Sequence, residues 1–237
     1  MVGIYGLLAA LGTSGLSLGA RSAAPVWRGV SGTEAVALGL FGAALSLSMF
    51  ALGELDFHIE GRDALFYPSL AGVLAAVSLM GAARYFGRAG AATAVALVYL
   101  LFRSSMLLVV WGMGSVEHLT PPVMVLAPAL AIDLVLWRAG RNFGGGRVLA
   151  AALLAGPALL GGEWALRALF DFGGWEPLEV AASLAAVTIA VATGALAGDR
   201  LGSLLRGEHG PLPPRSRPVE DGVTRRPPLP SRSAASG

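Results

Sequence analysis

Apolar residues run along this chain in long continuous blocks, without the alternation of a half-buried strand or the heptads of a coiled coil. Polar segments near 21–31, 54–63, 84–90, 114–119, 138–147 and 167–177, and from 199 onward, break the blocks. A helix rises about 1.5 Å per residue, so roughly 20 apolar residues cross the hydrocarbon core of a bilayer. The blocks near 2–20, 32–53, 64–83, 91–113, 120–137, 148–166 and 178–198 therefore read as spanning helices. The expected fold is all-α, a polytopic membrane bundle of about seven transmembrane helices. Its membrane domain covers 1–203, and a Pro/Arg-rich disordered tail covers 204–237. The first block is Gly-rich and lacks the basic leader of a signal peptide, so it reads as a retained helix.

Composition agrees with the pattern. The chain has 237 residues, 55% hydrophobic and 14% charged, with a mean hydropathy of +0.68, whereas soluble domains carry about a quarter charged residues. Cysteine is absent, which excludes disulfides, thiolate-held iron–sulfur clusters and haem attached through Cys-x-x-Cys-His. All 17 basic residues are Arg, and Ala and Gly are abundant, as in a GC-rich bacterial coding sequence. In the tail, PLPPRSRP and RRPPLPSRSAASG combine Pro, Arg and Ser without an apolar period, the signature of a solvated low-complexity segment.

Charge sorts the loops. With alternating loops, one side holds Arg21, Arg28, Arg84, Arg88, Arg138, Arg141, Arg147, Arg200, Arg206 and the tail arginines, while the other holds Arg62 and Arg167. The excess of arginine on cytoplasmic loops then predicts an amino terminus outside and a carboxyl terminus in the cytoplasm of a cell with an inner membrane. Acids fall mostly on the outer side, with Glu34 and Asp199 as inner exceptions. The high pI follows from this cytoplasmic face, so membrane lipid and membrane subunits are the expected partners and nucleic acid is not.

Ionisable groups inside spans are costly to bury and mark candidate sites. These are Arg103, Asp133 and Glu163. At 1.5 Å per residue they lie about 18 Å, about 6 Å and about 22 Å from the inner ends of their helices. Arg103 and Glu163 match in depth and are the candidate intramembrane ion pair, which fixes packing in the simpler reading and forms part of a proton or ion path in the other. Asp133, close to the inner interface, is expected to meet Arg138 or water. On the outer side, Asp56 and His58 in ELDFHIEGRD and Glu117 and His118 in SVEHLTPP supply imidazole and carboxylate donors suited to copper, zinc or iron, and equally serve as ordinary interfacial polar loops. Gly194, Gly198 and Gly202 repeat every four residues on one face of the last span, a pattern that admits close approach of another helix.

From about Gly53 to Trp137 the chain resembles the A subunit of the copper-dependent membrane monooxygenases, the ammonia and particulate methane monooxygenase family. GELDFHIEGRD is similar to that family's Gly-Asp-x-x-Phe/Trp-x-x-Asp loop through Gly53, Glu54, Phe57 and Asp63. The start of the fourth span resembles its Gly-x-Ala-Thr opening through Gly90, Ala92 and Thr93. The fifth span resembles its Thr-Pro…Pro…Leu-Asp-x-x-x-Trp helix through Thr120, Pro121, Pro128, Asp133 and Trp137. In that family the oxidation chemistry is attributed mainly to copper ligands of the B and C subunits, and the A subunit's long segment between the last two spans is here reduced to Arg167–Pro177. The resemblance thus implies an integral, non-catalytic subunit of a complex that oxidises a small apolar substrate, with copper held by the complex and not by this chain alone. The alternatives are a small transporter or ion-conducting protein, with Arg103, Asp133 and Glu163 as its pathway, and a membrane assembly protein.

Overall fold

The computed structural model describes residues 30–58, 66–110, 120–137, 143–170 and 177–207, and within these omits the side chains of 54–58, 66, 106–110, 120–123, 163–170 and 177–179. The expected first span at 2–20 and the tail from 208 onward lie outside the described residues. Among the described residues there are six helices and no strand: α1 (Gly32–His58), α2 (Phe66–Phe86), α3 (Ala91–Val110), α4 (Thr120–Leu136), α5 (Gly145–Phe170) and α6 (Pro177–Leu205). Stretches of α1, α2, α5 and α6 are long and apolar enough to cross a membrane, and α3 and α4 carry shorter apolar stretches, Ala91–Ser105 and Met124–Leu136. The chain is therefore an all-helical, multi-pass membrane protein.

Local chemistry sets the helix ends. Ser31 and Glu34 form a reciprocal capping box at the start of α1: the Ser31 backbone N–H donates to Glu34 Oε2 at 2.9 Å, and the Glu34 N–H donates to Ser31 Oγ at 3.3 Å. After α2 the chain turns through Gly87 at φ 57° and Gly90 at φ 89°, left-handed conformations that a side chain would strain. Pro128 and Pro157 lie inside α4 and α5, each removing one backbone donor from its helix.

Two boundaries differ from expectation. α1 continues through His58, so positions 54–58 belong to a helix and not to a loop. At the other end of the chain α6 runs to Leu205, past the expected domain boundary, because its last turns still have a surface to pack on. That surface is α2, the central helix, which touches each of the other five.

The most extensive packing in the bundle joins α2 to α6, and the glycine face of α6 lies in this contact. A Cβ added at Gly194 would sit 2.6 Å from the Val73 carbonyl oxygen, one at Gly198 2.5 Å from that of Val77, and one at Gly202 against the Gly81 carbonyl and the Arg84 side chain. Small residues fill the same role elsewhere in the core, including Ala75, Ala76, Ala82 and Ala83 on α2 and Ala91, Ala92, Ala94 and Ala96 on α3. Large apolar side chains such as Val36, Leu40, Leu47, Ile189 and Leu196 point outward instead, as in a protein whose solvent is lipid.

One end of the bundle gathers the start of α1, the end of α2, the starts of α3 and α5, and the ends of α4 and α6. Arg88, after α2, pairs with Glu34 at 3.3 Å. Arg84 pairs with Asp199 at 3.7 Å, donates to the Phe143 carbonyl at 3.2 Å, and places its guanidinium 5.1 Å from the centre of the Phe143 ring. Arg206 donates to the Arg84 carbonyl at 3.3 Å. Glu34 and Asp199, the two acids that break the charge sorting, are thus the counter-ions of arginines at this end.

Candidate functional site

The most strongly bonded polar side chain in the described interior is Asp133, in the last turn of α4. Its carboxylate reaches across to the first turn of α3. A helix start leaves backbone N–H groups without partners inside the helix, and its dipole adds partial positive charge there. Gly90 is the N-cap of α3, since its carbonyl accepts the Ala94 N–H at 2.9 Å, and it has no side chain with which to satisfy those donors. Asp133 supplies the missing acceptor. Oδ1 accepts the N–H of Gly90 at 3.1 Å and of Ala92 at 3.4 Å, while Oδ2 accepts the N–H of Thr93 at 2.7 Å and its hydroxyl at 2.5 Å.

Asp133 is 1% exposed and Thr93 0%, so this carboxylate does not face water as expected for a residue near the interface. Arg138, the other expected partner, lies outside the described residues. A carboxylate has about four acceptor positions. Four donors already point at this one, so Asp133 ties α4 to α3 and retains little capacity to bind an ion or relay a proton. Three features permit the close approach: Gly90 turns the chain, alanines follow it, and Thr93 contributes a second donor at the N3 position.

Arg103 lies three turns further along α3, and its guanidinium sits 5.8 Å from the centre of the Phe50 ring of α1. Among the described residues its buried Nε has no hydrogen-bond partner, and neither does the hydroxyl of Tyr99 one turn earlier. α3 packs principally on α1, α2 and α4, whereas α5, which carries Glu163, packs principally on α4 and α6. The Glu163 side chain lies outside the described residues, and so does its expected pairing with Arg103.

The outer candidates separate in a similar way. Asp56 and His58 occupy the last turn of α1, with side chains outside the described residues. Two positions on a helix are about 200° apart around its axis, so this pair does not share a face. Glu117 and His118 lie outside the described residues, as do the side chains of Glu54, Thr120 and Pro121. Among the described residues no group of three or more His, Asp or Glu is placed to hold a metal ion. Gly53 has open space where a Cβ would stand, and Pro128 is buried inside α4.

Sequence reading missed the Asp133 clamp because its partners lie 40 to 43 positions away along the chain. The available signals were an acid inside an apolar block and a Gly-x-x-Thr helix start with no capping side chain of its own. The capping box at Ser31 and Glu34 carries a legible Ser-x-x-Glu signature.

No protein-family model, curated protein or solved structure matches this chain.

Proposed function

We propose that this chain is a non-catalytic, integral scaffold subunit of a copper monooxygenase-like membrane complex acting on a small apolar substrate. It would have seven spans in an inner membrane, its amino terminus outside and its tail in the cytoplasm. The observation that carries the reading is the Asp133 clamp. Four of the residues in the family-like segments, Gly90, Ala92, Thr93 and Asp133, form a single bonded unit joining α3 to α4. The likeness therefore falls on residues that hold a bundle together, which suits a subunit whose work is to position others. A transport pathway through Asp133 would have to break four hydrogen bonds in a buried site, so the clamp favours the scaffold over the transporter.

Among the described residues no set of donors is gathered for copper. Asp133 is already engaged, and Asp56 and His58 lie on different faces of α1. In this reading the metal of such a complex belongs to partner subunits. The test is purification of the native protein in mild detergent, with identification of co-purifying chains and elemental analysis of the same sample, repeated on the chain expressed alone. The expected result is copper and membrane partners in the native sample, and little chelator-resistant copper in the isolated chain. About one retained copper per isolated chain, lost in His58→Ala or His118→Ala, would refute the scaffold assignment.

A further inference from the structure

We infer that the outward face of α1 is the docking surface for the chain's own first apolar block, residues 2–20, laid antiparallel along it as a helical hairpin. The inference rests on the seven-span reading and names where the first span goes. α1 packs principally on α2 and α3, so Leu38, Leu45, Met49 and Leu52 face the core, while Val36, Leu40 and Leu47 are exposed on the other side. With the half-buried Ala43 between them, these three form a stripe spaced four, three and four residues apart. The stripe lies within about 60° of the helix circumference. Such spacing is that of a seam between two helices packed nearly parallel or antiparallel.

The connection selects the occupant. Val30 packs against the core and Ser31 caps α1, so the chain reaches α1 at the end of the bundle that gathers the arginines. Only residues 21–29 separate Val30 from the end of the apolar block. Connections this short join elements that lie side by side. They also hold the block at a roughly millimolar effective concentration over α1, which any second copy or other subunit has to outcompete. The block is complementary to the seam. Read as a helix, it carries Leu8, Gly12, Gly15 and Gly19 on a stripe with the same spacing of four, three and four. Antiparallel alignment then sets Gly19 beside Val36, Gly15 beside Leu40, Gly12 beside Ala43 and Leu8 beside Leu47. Glycines thus stand opposite the bulky side chains nearest the connection, the kind of close packing that the glycines of α6 make on α2. Neither stripe has a charged residue within its length.

The test uses the full-length chain in the membranes of the expressing cell and exploits its lack of native thiols. Gly15→Cys with Leu40→Cys, and Gly12→Cys with Ala43→Cys, are oxidised with copper phenanthroline, denatured, and treated with a polyethylene-glycol maleimide that slows each free thiol on a gel. Leu8→Cys with Leu47→Cys alters no glycine and keeps the test open if the glycine variants misfold. All three pairs are expected to close within the monomer. They should do so at least about tenfold faster than Ser17→Cys with Leu40→Cys, because a bridge needs Cα atoms within about 7 Å and Ser17 stands about 200° around the block from Gly15. Thiols that stay free in every pair would overturn the proposal. So would a disulfide-linked band at twice the monomer mass, which gives the face to a second copy, or a Ser17 pair that closes as fast as the others. Val2→Cys separates this inference from the topology beneath it. If an impermeant maleimide labels Val2→Cys in intact cells and no pair closes, the hairpin alone is removed. If no pair closes and Val2→Cys reacts only in opened cells, the first span is removed with it.

Discussion

Asp133 Oδ2 accepts both the backbone N–H and the hydroxyl of Thr93, closing a hydrogen-bonded link between the end of α4 and the start of α3 in a site that water does not reach. Breaking it strands several donors of a buried helix terminus at once. Asp133→Ala is expected to destabilise the protein by about 3 kcal/mol, the cost of leaving buried donors unmatched. Asp133→Asn should fall between wild type and alanine, since one acceptor oxygen remains. Thr93→Val removes a single hydroxyl and should cost about 1 kcal/mol. Thermal unfolding in detergent gives the order, and an Asp133→Ala protein that melts with the wild type would refute the clamp.

The α2–α6 contact makes a steric prediction with an internal control. In Gly198→Ala the new methyl meets the Val77 carbonyl and the Gly81 backbone, neither of which can rotate away, so α6 must retreat. A loss of about 1–3 kcal/mol is expected, as for an overpacked core. Gly39, inside α1, has nothing within 4 Å of its would-be Cβ. Gly39→Ala should be neutral or slightly stabilising, because alanine is the better helix former. Equal effects of the two substitutions on unfolding would contradict the packing described.

At the start of α1, Ser31→Ala removes one half of the capping box and is expected to cost about 1 kcal/mol. Glu34→Gln keeps a capping side chain and loses the charge that pairs with Arg88. Both partners are partly exposed, at 26% and 31% of the side chain, so that loss should be smaller than the loss at Ser31. Chemical denaturation of the two variants side by side decides, and a Glu34→Gln loss exceeding that of Ser31→Ala would move the weight from the cap to the ion pair.

Charge sorting predicts a cytoplasmic tail. The chain has no native thiol, so Pro230→Cys provides a single reporter. It should resist a membrane-impermeant maleimide in intact cells and react once the cells are opened. Labelling in intact cells would reverse the orientation.

The block pattern alone determined the class and the element positions. The blocks expected at 32–53, 64–83, 91–113, 120–137, 148–166 and 178–198 each correspond to a helix of the structure, because hydrocarbon demands internal backbone pairing and a near-constant apolar length whatever lies alongside. The alternation of loops was legible for the same reason, and the structure gathers Glu34, Arg84, Arg88, Asp133 and Asp199 at one end.

Partner choice was not legible. Asp133 reads in sequence as an acid beside Arg138 or water, and it caps a helix that begins 42 residues earlier. Asp199 reads as an exception to charge sorting and is the counter-ion of Arg84. The glycines of α6 announce a close approach without naming α2. Period and length are local properties, set by each segment and its solvent. Which terminus a carboxylate caps and which helix a glycine face meets depend on how six helices share one core, and only the tertiary structure decides that.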